Sequence, residues 1–212
     1  MIKGVIFDFD GTLTELTLDF GRLRTEVGKV ASKYVSKERI KAYEGHFVIE
    51  MIRGLEKEIG REAEDFTKEA FARLRDLELE ASRGKGLYPY TREVLQRLKE
   101  RGIKIGILTR THIDVLTHVF PEIREYVPVI VTRHEVERVK PHPDHAAAVL
   151  RLLDLRPDEA ILVGDHPTDI LGGKNIGMKT AGVLAGRTTR EEFAEAGATY
   201  ILKDIRGILD IV

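Results

Sequence analysis

The chain has 212 residues and a mass of 24.0 kDa, which fits one large domain or one domain that carries an insertion. Its 34 Lys and Arg nearly balance its 35 Asp and Glu, which argues against a dedicated nucleic-acid binder or a polybasic membrane-surface protein. The absence of cysteine excludes disulfides, thiolate metal sites and cysteine nucleophiles.

Residues 2–7 near the amino terminus are apolar apart from Lys3 and predict a short buried strand. No long apolar region precedes the first acidic residues, so we expect no signal peptide. No apolar run approaches the roughly 18 residues of a membrane span. The expected location is therefore the cytoplasm. The composition includes a single Asn and a single Gln, with 33% charged residues, a pattern typical of hyperthermophile proteins.

Residues 15–84 form a charge-rich segment without proline, and all seven prolines of the chain lie at Pro89 or later. Its apolar residues recur at helical intervals. Three such stripes are Phe20, Leu23, Val27, Val30 and Tyr34; Ile40, Tyr43, Phe47, Met51, Leu55 and Ile59; and Ala70, Leu74, Leu77 and Ala81. Gly60 is the expected end of a helix, and Gly84 and Gly86 mark the exit from the segment. We predict a small helical domain inserted at 15–84.

The remaining residues, 1–14 and 85–212, alternate short β-rich runs with amphipathic helices. Strands are predicted at 2–7, 103–108, 127–131, 160–163 and 179–184, helices at 91–101, 112–119, 143–154 and 167–176, and further elements near 189–195 and 204–210. This alternation implies right-handed crossovers and an α/β fold with a parallel sheet covered on both faces. In such a sheet the active crevice lies beyond the carboxyl ends of the strands.

Polar residues follow four of these strands. They are Asp8 and Asp10 after the first strand, Thr109 and Arg110 after the second, Lys140 some way after the third, and Asp165, His166 and Asp169 after the fourth. If the strands are parallel, these groups gather at one edge of the sheet. Taken singly, each also has a structural explanation: Asp8 and Asp10 as turn residues, Thr109 as an ordinary β-residue, Lys140 as a solvated surface lysine, and Asp169 as a first-turn helix acid.

Together the residue types indicate phosphoryl chemistry. Asp8 and Asp165 would make an oxygen-rich site suited to a hard cation such as Mg²⁺. A carboxylate beside Mg²⁺ and a lysine stays ionised, so Asp8 can act as a nucleophile. Asp10 is placed to give and take a proton. Thr109 and backbone N–H groups can hold phosphate oxygens, and Lys140 can offset their charge.

The motifs DFDGTLT, ILTR, KPHPD and VGDHPTD, in this order, resemble those of the haloacid dehalogenase superfamily of phosphohydrolases, most closely its phosphoglycolate-phosphatase-like branch. The resemblance implies a Rossmann-like sheet ordered third, second, first, fourth, fifth, with the insertion at 15–84 as a helical cap. It also implies a role for each matching residue. Asp8 matches the nucleophile, Asp10 the general acid/base whose carbonyl also faces the metal, Thr109 and Lys140 the phosphate-holding pair, Asp165 the acidic metal ligand, and Asp169 its supporting acid.

Four residues depart from the family pattern. Arg110 either adds a phosphate contact or points to solvent, and His166 is read as a helix-start residue rather than as a substrate contact. Glu15 and Leu16 follow the first motif where phosphoglycolate phosphatases usually show Asp-Ser, so the hinge into the insertion differs and the substrate is not assigned.

The expected function is a Mg²⁺-dependent phosphatase that hydrolyses a small phosphorylated metabolite through an aspartyl-phosphate. One alternative is a phosphomutase or phosphotransferase of the same superfamily, and another is a non-catalytic binding protein of this fold. A 2-haloacid dehalogenase is disfavoured, because that branch lacks the second Asp of the first motif.

Overall fold

The computed structural model describes residues 1–212. They divide into two compact units, Met1–Leu16 with Gly84–Val212 and, separately, Thr17–Arg83. The first unit is here called the core and the second the insert. No helix of the chain is both long enough and apolar enough to cross a membrane.

The core holds a six-stranded sheet with helices on both sides. Its strands are β1 (Gly4–Phe7), β2 (Lys104–Leu108), β3 (Val129–Val131), β4 (Ala160–Gly164), β5 (Lys179–Val183) and β6 (Tyr200–Leu202). Every neighbouring pair is parallel, and the order is β3-β2-β1-β4-β5-β6. The predicted order of the first five strands is confirmed, and β6 extends the sheet beyond β5. β1 therefore lies at the centre, between β2 and β4.

Alternate residues of the central strands face opposite sides of the sheet, as the two-residue period of a strand requires. Val5 and Phe7 belong to one apolar cluster, whereas Ile6 belongs to the other. All three are fully buried. Because helices cover both faces, the central strands β1 and β4 carry only apolar residues and glycine and do not alternate with polar residues, which is the usual pattern of a parallel sheet.

The core helices connect successive strands. They are α5 (Thr91–Glu100), α6 (Ile113–Val119), α7 (Ile123–Tyr126), α8 (Pro143–Leu153), α9 (Pro167–Lys174) and α10 (Arg190–Ala196), with 3-10 helices at Pro157–Glu159 and Ile205–Asp210. α9 lies very close to the sheet at Gly173, where an added Cβ atom would be only 2.5 Å from Thr180 Cγ2. A side chain there would force the helix away from β5.

The insert is entirely helical. Its helices are α1 (Phe20–Ala31), α2 (Lys37–Lys41), α3 (Val48–Ile59) and α4 (Ala63–Ala81), with a 3-10 turn at Gly60–Glu62. The apolar faces of α1, α3 and α4 pack together, and each buries part of its predicted stripe: Leu23 and Val27, Met51 and Leu55, Leu74 and Leu77. Gly60 ends α3 with φ 78°, as predicted.

Some sequence expectations were wrong. The stripe from Ile40 to Ile59 predicted continuous helical spacing, but the helix is interrupted between α2 and α3, where Gly45 adopts φ 94°. A left-handed residue cannot continue a right-handed helix. The sequence reading also missed α7 and β6, which have four and three residues and are too short for a periodic signal.

Candidate functional site

Asp8 and Asp10 lie on the loop that leaves the carboxyl end of β1. The Asp8 N–H donates to the carbonyl of Val163 at 2.8 Å, so the pairing of β1 with β4 extends to the residue that carries the carboxylate. Gly11 then turns the chain with φ 81°, a conformation that favours glycine. Both Asp side chains are buried. The sheet thus fixes the first carboxylate directly and the second through a tight turn.

Asp165 follows β4, the strand next to β1, and its carboxylate lies among glycines. A Cβ atom on Gly11 would be 2.1 Å from Asp165 Oδ2, and one on Gly186 would be 2.2 Å from the same oxygen. No side chain fits at either position without displacing this carboxylate. The Thr188 hydroxyl donates to the backbone carbonyl of Asp165 at 2.6 Å and holds the loop after β5 against it.

Asp8, Asp165 and Asp169 form a compact acidic group. One carboxylate oxygen from each lies within 4.8 Å of those of the other two. Asp169 is fully buried, and its two oxygens already accept hydrogen bonds, from Lys140 Nζ at 2.7 Å and from the His166 N–H at 3.2 Å. Both carboxylate oxygens of Asp169 therefore already have protein donors.

Lys140 is the cation at the centre of this group. Its buried Nζ lies 2.5 Å from Asp8 Oδ1 and 2.7 Å from Asp169 Oδ1. Burial by itself lowers the pKa of Lys140, but the charges of Asp169 and Asp8 outweigh it and raise the pKa above its ordinary value. Lys140 therefore remains an ammonium throughout the neutral range.

The pKa values of two carboxyl groups are raised as well, and for an acid a raised pKa disfavours the charged form. Burial, with the nearby charges of Asp169 and Asp10, raises the pKa of Asp8 to about 7 against the attraction of Lys140. Burial and the charges of Asp8 and Asp169 raise the pKa of Asp165 to about 8. Both shifts mean that ionising the whole group is costly without a further positive charge.

The main chain of Lys140 is held on both sides. Its N–H donates to His145 Nδ1 at 3.1 Å, and its carbonyl accepts from Arg110 Nη1 at 2.9 Å. The Nε2 of His145 lies 3.1 Å from the Val131 carbonyl, which fixes the neutral tautomer with its proton on Nε2. Burial, followed by the charge of Lys140, lowers the pKa of His145 to about 3. The predicted phosphate role of Arg110 stays a prediction, because this contact is to protein backbone.

Thr109 and Thr111 follow β2 at the same edge of the sheet. The buried Thr109 hydroxyl accepts a hydrogen bond from the Thr111 N–H at 3.1 Å, which does not use the hydroxyl hydrogen. The Thr111 hydroxyl donates to Asp10 Oδ2 at 2.6 Å. The loop after β2 is thereby joined to the loop after β1.

Lys85 is a buried site residue that sequence reasoning missed. Its Nζ forms an ion pair with Asp10 Oδ1, and its side chain is 1% exposed. The sequence suggested only a flexible exit here, because Lys85 stands between Gly84 and Gly86. His145 and Thr111 were missed as well, since neither lies within a recognisable motif.

His166 is the N-cap residue of α9 and lies directly before its first residue, Pro167. Its Nδ1 accepts from the Thr168 N–H at 3.2 Å, and its backbone N–H donates to Asp169. This is the helix-start role that the sequence predicted.

Comparison with known proteins agrees with this geometry. Residues 5–183, well over half of the chain, match the family described as haloacid dehalogenase-like hydrolase. The pyrophosphatase PpaX of Bacillus cereus is 42% identical over an alignment of 112 residues that covers 50% of this chain and 51% of that protein. The chain thus spans about half the length of the curated relatives it matches.

Two solved structures show the same fold along nearly the whole chain. A hydrolase from Pseudomonas syringae superposes with a TM-score of 0.70 at 24% identity, covering 98% of this chain and 96% of that one. A predicted phosphoglycolate phosphatase from Haemophilus somnus superposes with a TM-score of 0.67 at 21% identity, covering 99% and 97%. With the family match over residues 5–183, the chain belongs to the haloacid dehalogenase-like hydrolases.

Proposed function

We propose that this chain is a Mg²⁺-dependent phosphatase that hydrolyses small phosphorylated metabolites through an aspartyl-phosphate on Asp8. The observation that carries the proposal is the position of Lys140, whose Nζ lies 2.5 Å from Asp8 Oδ1 at the carboxyl end of the central strand. An ammonium in contact with a buried carboxylate both restrains the nucleophile and neutralises an incoming phosphoryl group.

A divalent cation fits the residues of the acidic group. The donors are all oxygens, as a hard cation requires, and Gly11 and Gly186 leave the Asp165 carboxylate without neighbouring side chains on those sides. We assign the cation to Asp8, Asp165 and the backbone carbonyl of Asp10, with Asp169 supporting the site through Lys140. When bound, Mg²⁺ neutralises the buried carboxylates and draws charge from the phosphoryl oxygens.

The residues of the chain account for both halves of the reaction. A carboxylate oxygen of Asp8 attacks phosphorus, and the bond to the ester oxygen breaks while protonated Asp10 gives its proton to the leaving alcohol. Asp10, now a carboxylate, removes a proton from the water that attacks the phosphorus of the aspartyl-phosphate. Inorganic phosphate leaves, and Asp8 and Asp10 return to their starting forms. Thr109 and Lys140 hold phosphoryl oxygens during both steps.

The substrate proposed is a small soluble ester, as in the phosphoglycolate-phosphatase-like branch. We assign the insert to the role of a cap that excludes bulk water during transfer, because it leaves the core directly after the Asp10 loop. Inorganic pyrophosphate is a second candidate substrate, favoured by the 42% identity with a pyrophosphatase over half of the chain.

The proposal is tested with metal-stripped protein and a panel that contains p-nitrophenyl phosphate, 2-phosphoglycolate and pyrophosphate. We expect phosphate release that requires added Mg²⁺ and is abolished by Asp8→Asn, since an amide is a poor nucleophile. Asp158→Asn is the matched control, because Asp158 lies on the exposed surface and pairs with Arg156.

The same panel separates the alternatives. Loss of the leaving alcohol that depends on an added acceptor alcohol, with the phosphoryl group found on that acceptor and not as inorganic phosphate, would indicate a phosphotransferase. Mg²⁺-dependent binding of a phosphate ester without turnover would indicate a non-catalytic binding protein.

A further inference from the structure

We propose that Lys85 is a positioning residue for Asp10, holding that carboxylate in the orientation needed for proton transfer. The inference rests on the proposed function, in which Asp10 is the general acid and base. Its basis is the buried ion pair between Lys85 Nζ and Asp10 Oδ1, together with the Thr111 hydroxyl on Oδ2.

The two contacts together restrict rotation of the Asp10 carboxylate. An isolated Asp side chain turns easily about its last torsion angle, which has broad minima. With one donor on each oxygen, that rotation breaks at least one hydrogen bond. General acid catalysis requires the proton to lie within hydrogen-bond reach of the leaving oxygen. If the Asp10 carboxylate turns away from the leaving oxygen, proton transfer slows even though every atom of the site is present.

The segment that carries Lys85 is itself joined to the Asp10 loop. The Thr14 hydroxyl donates to the Gly86 carbonyl at 2.7 Å, and Thr14 also forms an isolated antiparallel bridge with Leu87. The Lys85 ammonium lies 5.7 Å from the centre of the Phe9 ring, within the range of a cation–π contact. Lys85 therefore approaches Asp10 from backbone that is fixed relative to it.

Charge neutralisation of the acidic group does not account for this lysine. Lys140 contacts Asp8 and Asp169, whereas Lys85 contacts Asp10. Burying an ammonium is costly unless it is paired and hydrogen-bonded, and its partner here is the residue that moves the proton. A structural ion pair and a positioning ion pair differ in one measurable respect, which is the dependence of the variant on the leaving group.

The experiment compares kcat/KM for p-nitrophenyl phosphate and for a simple alkyl phosphate, in the presence of Mg²⁺. This parameter reports the steps up to departure of the leaving group. An alkoxide needs a proton in order to leave and p-nitrophenolate does not, so only the alkyl ester depends strongly on Asp10. General acid catalysis typically contributes about 10²- to 10⁴-fold to the rate. Lys85→Met should therefore lower kcat/KM for the alkyl ester by roughly tenfold or more and leave kcat/KM for the aryl ester nearly unchanged.

Three further variants complete the test. Lys85→Arg restores a cationic donor and should keep the alkyl-to-aryl ratio within about threefold of the wild type. Lys85→Gln keeps an N–H donor without the charge and replaces the Met variant if that variant does not fold. It should shift the ratio in the same direction as Lys85→Met but by a smaller amount. Lys3→Met removes a lysine from the Lys3–Glu159 ion pair at the opposite end of β1 and should leave the ratio unchanged.

Equal losses for the two esters in Lys85→Met and Lys85→Gln, or no loss in either, would overturn the positioning role. Failure of Lys85→Arg to restore the ratio while it folds normally would also count against it. If wild-type protein releases phosphate from neither ester, the proposed function itself is refuted, and the role of Lys85 is refuted with it.

Discussion

Lowering the pH from 7 to 5 should reduce the folding stability of the chain by about 2 kcal/mol through His145 alone. The folded-state pKa of His145 is lowered to about 3 from its ordinary value of 6.5, chiefly by burial. Below pH 6.5 His145 binds a proton in the unfolded chain but not in the folded chain. Its contribution to folding stability is therefore fully present above pH 6.5 and is lost as the pH falls toward 3. The cost is about 1.4 kcal/mol per pH unit over the 1.5 units from 6.5 to 5.

The measurement is urea unfolding, followed by circular dichroism, of the wild type and His145→Gln at pH 7 and pH 5. The raised pKa values of Asp8 and Asp165 act in the opposite sense, because their ionisation costs stability at high pH and protonation relieves that cost. The informative quantity is therefore the difference between the two proteins. It should shrink by about 2 kcal/mol between pH 7 and pH 5.

The control is His118→Gln, which replaces an exposed histidine of α6. Its difference from the wild type should change little over the same range. If the His145→Gln difference is the same at both pH values to within about 0.5 kcal/mol, then His145 is not held as a neutral, doubly hydrogen-bonded ring, and this description of how Lys140 is positioned is wrong.

Two further predictions concern the acidic group. Asp165→Asn should raise metal-free stability at pH 8 by at least about 1 kcal/mol, or roughly 2–4 °C in melting temperature, because it removes a buried carboxylate whose pKa is raised to about 8. The gain should be smaller at pH 5, and added Mg²⁺ should stabilise the wild type but not the variant. A variant that melts below the metal-free wild type at pH 8 would contradict this electrostatic account. Gly186→Ala should lower Mg²⁺-dependent turnover by about tenfold or more, because its Cβ would lie 2.2 Å from Asp165 Oδ2. Gly86→Ala, where a Cβ meets nothing within 4 Å, is its control, and equal turnover in the two variants would refute the steric argument.

The sequence predicted those parts of the fold that depend on periodic patterns. The strands at the centre of the sheet are continuous apolar runs, and the helices of the core and of the insert repeat their apolar residues at helical spacing. Polar residues placed directly after such strands must come together in a parallel sheet. That geometry explains why Asp8 and Asp165, which directly follow β1 and β4, could be predicted as neighbours from the sequence alone. Lys140 lies well beyond the end of β3, and its role was implied by the resemblance of the motif KPHPD.

The rest of the site depends on contacts that leave no periodic signal. Lys85 and Asp10 are 75 residues apart, and Thr111 and Asp10 are 101 residues apart. His145 occupies the first turns of α8, where nothing in the spacing indicates that its ring contacts the main chain of Lys140 and Val131. Such pairs become visible only when the loops after different strands are placed in three dimensions.

The phosphoryl acceptor is the central claim, and trapping the covalent intermediate tests it most directly. Asp10→Asn protein is mixed with p-nitrophenyl phosphate and Mg²⁺, because this ester phosphorylates the enzyme without a general acid while hydrolysis of the intermediate is slowed. After acid quenching, the protein is digested at low pH and its peptides are analysed by mass spectrometry. We predict one phosphoryl group on Asp8, removed by hydroxylamine and absent from the Asp8→Asn, Asp10→Asn double variant. A phosphoryl group on any other residue, or phosphate release by Asp8→Asn, would contradict the account.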